Sequence, residues 1–173
     1  MLPQTPVQLD QIRRDCRKLL YKRAALSAAA AVIPLPGADI SADVAIMVEL
    51  LTTINNRFGL TPEQVSHLDR ERKRILIVLI TSAGNEFIGK AVTARMIRTA
   101  LKHTSRHLLI KQGGKWAPVA GLALSAGISY SAMYYLGLHH IEQCYDVVYQ
   151  YMHNVDTRWL GDVIEISGGC NTF

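Results

Sequence analysis

Ile75-Leu76-Ile77-Val78-Leu79-Ile80 is a run of six apolar residues that would be a strand on β-propensity alone. Its context decides otherwise. Upstream, Thr61-Pro62-Glu63-Gln64 is a helix start: threonine at the cap, proline at the first helical position and glutamine closing a capping box. The charged stretch Asp69 to Arg74 then leads into the apolar run with no turn signal between them. The spacing therefore predicts a third helix from Pro62 to about Ser82. Its second half is apolar all round and is expected to be buried. With that strand removed, no sheet of consequence is left, and the fold class is all-α.

Working outward, Thr5-Pro6-Val7-Gln8 carries the same start signature. Leu9, Ile12, Cys16, Leu19 and Leu20 recur at helical spacing in the first helix. That helix runs into Ala24–Val32 and must stop at Pro34-Leu35-Pro36-Gly37. Asp39 caps a second helix, whose inner stripe is Ile40, Val44, Met47, Leu51, Ile54 and Phe58, ended by Gly59. Gly84-Asn85 is a break. A fourth helix is then expected to carry Phe87, Ile88, Val92, Met96 and Ile97 inward, with Lys90, Arg95, Arg98 and Lys102 outward. His103 to Lys115 is basic and ends in the turn Gly113-Gly114. Pro118 opens a long fifth helix, uncharged as far as Leu138 and amphipathic through Met152. Residues 156–173 carry no decisive pattern, and Gly168-Gly169 suggests fraying. The expectation is one compact bundle of five or six helices over residues 1–173. Its core would be helix two, the end of helix three and the Ala/Gly/Ser-rich segment Ala117–Leu138.

A chain of 173 residues, 49% hydrophobic and 19% charged, is long and apolar enough to bury a core without disulfides or metals. Three cysteines, Cys16, Cys144 and Cys170, are widely spaced and odd in number, which argues against a disulfide scaffold. The N-terminus lacks a basic segment followed by an apolar run, so no signal peptide is read and a cytoplasmic location is expected. The net charge of +5 attracts anionic lipid, nucleic acid or an acidic partner. Nucleic acid ranks low, because neither aromatic interleaving nor a recognised binding motif accompanies the charge.

Three groups of residues stand out as contact sites. Arg13, Arg14, Arg17, Lys18, Lys22 and Arg23, offset only by Asp15, could meet an anionic membrane or a partner. Pro34, Pro36, Gly37 and Asp39 form a structural turn. Gly121, Ser125 and Ser129, four apart, form a seam that lets helices approach closely. Residues 117–138 reach spanning length, but their Ala, Gly, Ser and Tyr content favours a buried core helix.

Chemistry-bearing patterns are thin. His140 and Cys144 are four apart and could share a helix face, but two ligands do not make a metal site. With His139, Glu142 and His153 they read as ordinary polar residues of an amphipathic helix. Lys111-Gln112-Gly113-Gly114-Lys115 lacks the first glycine, the hydroxyl residue and the preceding strand of a phosphate loop. No catalytic residue, cofactor or metal is assigned.

Ala31-Val32-Ile33-Pro34-Leu35-Pro36-Gly37-Ala38-Asp39, followed by a helix ending Arg57-Phe58-Gly59-Leu60-Thr61, carries a family resemblance. So does Trp116-Ala117-Pro118-Val119-Ala120-Gly121, followed by Ser129-Tyr130 and Tyr135-Leu136-Gly137. Over about Leu19 to Tyr151 the chain resembles the GTPase-associated helical domain of unknown function of YcjF-like bacterial membrane proteins. It is also similar to the C-terminal helical domain of immunity-related GTPases. The resemblance implies an all-helical fold, a link to GTPases and membrane association. It supplies no catalytic residues, and this chain has neither a GTP-binding domain nor a clear membrane-spanning pair, so a GTPase would act in trans.

The expected function is a non-enzymatic interaction module, peripheral to the cytoplasmic face of a membrane and paired with a protein partner such as a separate GTPase. A soluble adaptor or toxin-neutralising protein is the second reading and a membrane-inserting effector the third. Self-association stays open.

Overall fold

The computed structural model describes the backbone of residues 2–30, 39–111 and 121–168, and side chains within 2–26, 44–103 and 130–154. The chain is all-α. Among the described residues there are six helices and no strand: α1 (Pro6–Ala30), α2 (Asp39–Phe58), α3 (Pro62–Ser66), α4 (Arg70–Ser82), α5 (Ala94–Lys111) and α6 (Gly121–Gly168). α6 is the axis. α1, α2, α4 and α5 all pack against it, and α2 also meets α1 and α5.

Local chemistry sets most helix ends. Thr5 Oγ1 accepts from the backbone N–H of Gln8, while Gln8 Oε1 reaches back to the N–H of Gln4, one residue earlier than a regular capping box. α2 ends in a Schellman turn: Gly59, at φ +77°, donates to the Asn56 carbonyl and Leu60 donates to the Asn55 carbonyl. Leu60 is fully buried, as the hydrophobic contact of that motif requires. Thr61 and Gln64 complete the expected capping box with reciprocal 3.2 Å hydrogen bonds.

The third helix departs from expectation. α3 closes at His67, and Asp69 starts α4 afresh by accepting from the N–H of Arg72 at 2.9 Å. Asp69 was a second N-cap hidden in a charged run. The helical reading of Ile75–Ile80 holds, but its full burial does not. Leu76 is buried, whereas Ile77 and Val78 are 46% and 57% exposed. α4 packs chiefly against α6, and six consecutive residues of a helix point to all sides, so they cannot all face it.

The fourth helix begins late. Gly84 and Gly89 both hold positive φ, and Asn85 accepts from the N–H of Phe87. Residues 84–93 are therefore a loop, which delivers Ile88 to the core, and Thr93 caps α5. The basic segment from His103 continues the helix to Lys111.

Among the described side chains, the core draws on α1 as well as on the expected helices. α1 supplies Leu9, Cys16 and Leu20, and α2 supplies Val44, Met47, Leu51, Ile54 and Phe58. α6 contributes Met133 from the uncharged stretch and Ile141, Cys144, Val147, Val148 and Tyr151 from beyond it, the side chains of 121–129 lying outside the described set. Pro34, Pro36 and Gly37 fall outside the described residues, as does the Gly113-Gly114 turn. Asp39 is the first residue of α2, and Gly121, Ser125 and Ser129 lie on α6, with side chains outside the described set. α6 continues without a break through Gly168, over most of the stretch whose sequence was undecided.

Candidate functional site

The six cations of α1 divide into two sets. Arg13 and Arg17, one turn apart, converge on Glu142 of α6: Arg13 Nη2 meets Oε2, and Arg17 donates to Oε1 at 2.7 and 3.1 Å. The Arg13 guanidinium also lies 4.5 Å over the Tyr145 ring, whose hydroxyl donates to Asp10 at 3.0 Å. Burial would push the Glu142 carboxyl up, but the hydrogen bonds from both arginines outweigh it and hold the pKa below the usual value. Arg23 pairs with Glu49 of α2 at 2.5 Å. These three cations fasten α1 to the bundle.

Arg14, Lys18 and Lys22 point the other way. Arg14 bonds Gln11 on its own helix, and Lys18 stands 3.8 Å from Asp15. At 100° per residue, Val7, Arg14, Lys18, Tyr21 and Lys22 share a stripe about 100° wide. Val7 and Tyr21 on that stripe, and Leu26 beside it, are largely exposed. The stripe thus interleaves cations with apolar and aromatic side chains.

A second polar cluster is buried where α2, α6 and the 84–93 loop meet. His140 is 1% exposed and Asn55 2%. His140 Nε2 donates to Asn55 Oδ1 at 3.0 Å, and its Nδ1 accepts from the Asn85 amide at 3.0 Å, which assigns the neutral Nε2–H tautomer. Asn55 Nδ2 donates to the Phe87 carbonyl at 2.6 Å. Gln143 accepts from Asn85 and donates to the Ala83 carbonyl. Cys144 Sγ lies 3.7 Å from Asn55 Oδ1 and 3.6 Å from His140 Nε2.

Cysteine, histidine and asparagine in contact suggest nucleophilic catalysis, but the electrostatics run against it. Desolvation pushes the Cys144 thiol well above its ordinary pKa and His140 down to about 3. A nucleophilic cysteine needs a thiolate and a base that can take its proton. Here the ring nitrogen nearest the sulfur already bears a proton, and Cys144, His140 and Asn55 are all buried. Its role is to latch the 84–93 loop onto α2 and α6. The four-residue spacing of His140 and Cys144 did place them on one face, but that face points inward. Their shared neighbour, Asn55, came from a helix 85 residues away in sequence and could not be found by spacing. His139 and His153 are exposed, and Glu142 belongs to the arginine clamp. Among the described residues, no group of three or more His, Cys, Asp or Glu side chains is placed to hold a metal ion.

Among the described residues, no helix is long and apolar enough to cross a membrane. No family model, curated protein or solved structure matches this chain, and none of these comparisons bears on the resemblance carried by the Pro34–Asp39 turn.

Proposed function

We propose that this chain is a non-enzymatic helical interaction module that seats on an anionic membrane surface through the outward stripe of α1. The observation that carries the reading is the sorting of the α1 cations. Arg13, Arg17 and Arg23 are taken up by carboxylates of neighbouring helices, whereas Arg14, Lys18 and Lys22 face outward beside exposed Tyr21, Leu26 and Val7. A cation held at an anionic lipid surface contributes about 1 kcal/mol, so three supply roughly 3 kcal/mol. Tyr21 suits the interface between headgroup and acyl chain, with its ring in the apolar layer and its hydroxyl in the wet one. Such binding is reversible and weakens with salt. A separately encoded GTPase is the protein partner that the resemblance suggests.

The test is sedimentation with vesicles. Wild type is expected to bind phosphatidylserine-containing vesicles at low ionic strength, to release at high salt and to ignore pure phosphatidylcholine. Arg14→Glu, Lys18→Glu and Lys22→Glu combined should abolish binding with helicity and Tm retained. Arg13 and Arg17 are unsuitable targets, because changing them also breaks the Glu142 clamp. Failure of wild type to bind anionic vesicles at low salt would remove this reading.

A further inference from the structure

A different surface, on α4, combines cationic and exposed apolar side chains in one groove. Two rows run along one side of this helix at intervals of four residues: Arg70, Arg74 and Val78, and beside them Glu71, Ile75 and Leu79. Together with Asn154 of α6 they line an open groove of about 700 Å³. One end of the groove is cationic and the other apolar. Ile77 on its flank and Val78 within it are the exposed apolar residues of α4. Val78 is β-branched and rigid, so little side-chain entropy is lost when it is covered.

Among the described residues the charges of the groove are unevenly paired. Arg72 is occupied by Asp69 at 3.2 Å, and Glu71 is engaged in an interaction of its own. Among the described residues, Arg70 and Arg74 enter no ion pair. A groove with an apolar floor and, at one end, two guanidinium groups that have no ion-pair partner among the described residues is complementary to an amphipathic helix that presents leucine-like residues on one face and carboxylates along its flank.

We propose that the α4 groove binds an acidic amphipathic helix of a partner protein. Ile75, Val78 and Leu79 take its apolar face, and Arg70 and Arg74 fork onto its carboxylates, a geometry that arginine favours over lysine. This site is separate from the α1 stripe and does not depend on membrane binding.

The probe is a fluorescent synthetic peptide of about 15 residues, near the length at which isolated helices begin to form. Leucine stands at alternating intervals of three and four, and glutamate fills most other positions. A twin carries lysine in place of glutamate. Anisotropy should show the acidic peptide binding at least about tenfold more tightly than the basic one, a difference of about 1.4 kcal/mol. Arg70→Glu with Arg74→Glu should invert that preference. Val78→Ser should weaken binding several-fold without lowering Tm, because the side chain is exposed. Equal affinity for the two peptides, or an unchanged preference in the double variant, would overturn the proposal. So would a wild-type dimer in sedimentation that Val78→Ser converts to monomer, since the occupant would then be a second copy of this chain. Protection of residues 74–79 from hydrogen exchange by anionic vesicles but not by the peptide would likewise overturn it.

Discussion

At Gly137 the missing side chain is what lets Leu20 of α1 lie against α6. A Cβ there would fall well inside van der Waals contact of Leu20 Cδ1, and Leu20 is fully buried. Gly137→Ala sets two effects against each other. Alanine gains up to about 1 kcal/mol of helix propensity, while Leu20 must rotate away from the new methyl. The two nearly cancel, and Tm should move little. Gly137→Leu has no such relief, and overpacking should cost about 1–3 kcal/mol, seen as a lower urea midpoint. An unchanged midpoint would mean that α1 can shift away freely. Gly137 stands two four-residue steps beyond Ser129, with Met133 between; the surroundings of Gly121, Ser125 and Ser129 lie outside the described residues, so the close approach described on this row is the gap at Gly137. What could not be read was which residue fills it, because Leu20 lies more than a hundred residues upstream.

Between elements, the join of α1 to α6 includes the Leu20–Gly137 contact, the Tyr145–Asp10 hydrogen bond and two arginines sharing one carboxylate. Hydrogen bonds to charged groups contribute about 1.5–3 kcal/mol, but both partners here are partly exposed, so solvent screening reduces this. Glu142→Gln keeps the shape and removes the charge. The expected loss is roughly 1 kcal/mol, a fall in Tm of about 2–4 °C in a chain of this size. A Tm within half a degree of wild type, read by circular dichroism, would show the clamp to be energetically idle. The basic face of α1 was visible in the sequence, but its division into clamp and outward stripe was not, because that depends on where Glu142 and Glu49 arrive. The same limit explains α4. Its apolar run was legible as helix, yet the exposure of Ile77 and Val78 depends on where α6 lies against it.

For the molecule as a whole, stability should fall with acid in two stages. His140 has a folded pKa of about 3, far below its unfolded value of 6.5, because burial disfavours the imidazolium. Between those values the unfolded chain binds a proton that the folded chain does not. Stability is therefore complete above about pH 6.5 and falls, by up to about 1.4 kcal/mol per pH unit, toward pH 3. Glu142, whose folded pKa is depressed, adds stability that is present above its unfolded pKa of 4.5 and lost as pH falls below it. Denaturant unfolding at pH 7, 6 and 5 should show the first stage. His140→Gln should be less stable than wild type at pH 7, having disturbed the bonds to Asn55 and Asn85, but should lose less between pH 6.5 and 5. Identical slopes in that interval would mean that His140 is not buried in its neutral form.

The sequence by itself determined what depends on neighbours a few residues apart. The all-α class, the cap at Thr5, the capping box at Thr61 and the glycine stop at Gly59 are written within one or two helical turns, where side chains compete for backbone hydrogen bonds. The same competition at Asp69 and Thr93 was equally local, and it was masked by the periodic residues around it. Tertiary structure alone decided which cations of α1 face outward, that His140 and Cys144 are sealed against Asn55, and that α4 lines a groove with Asn154 of α6. Each of these outcomes is a pairing between residues far apart in the chain. Helical periodicity assigns a residue to a face, and only the packing of whole helices assigns that face a neighbour.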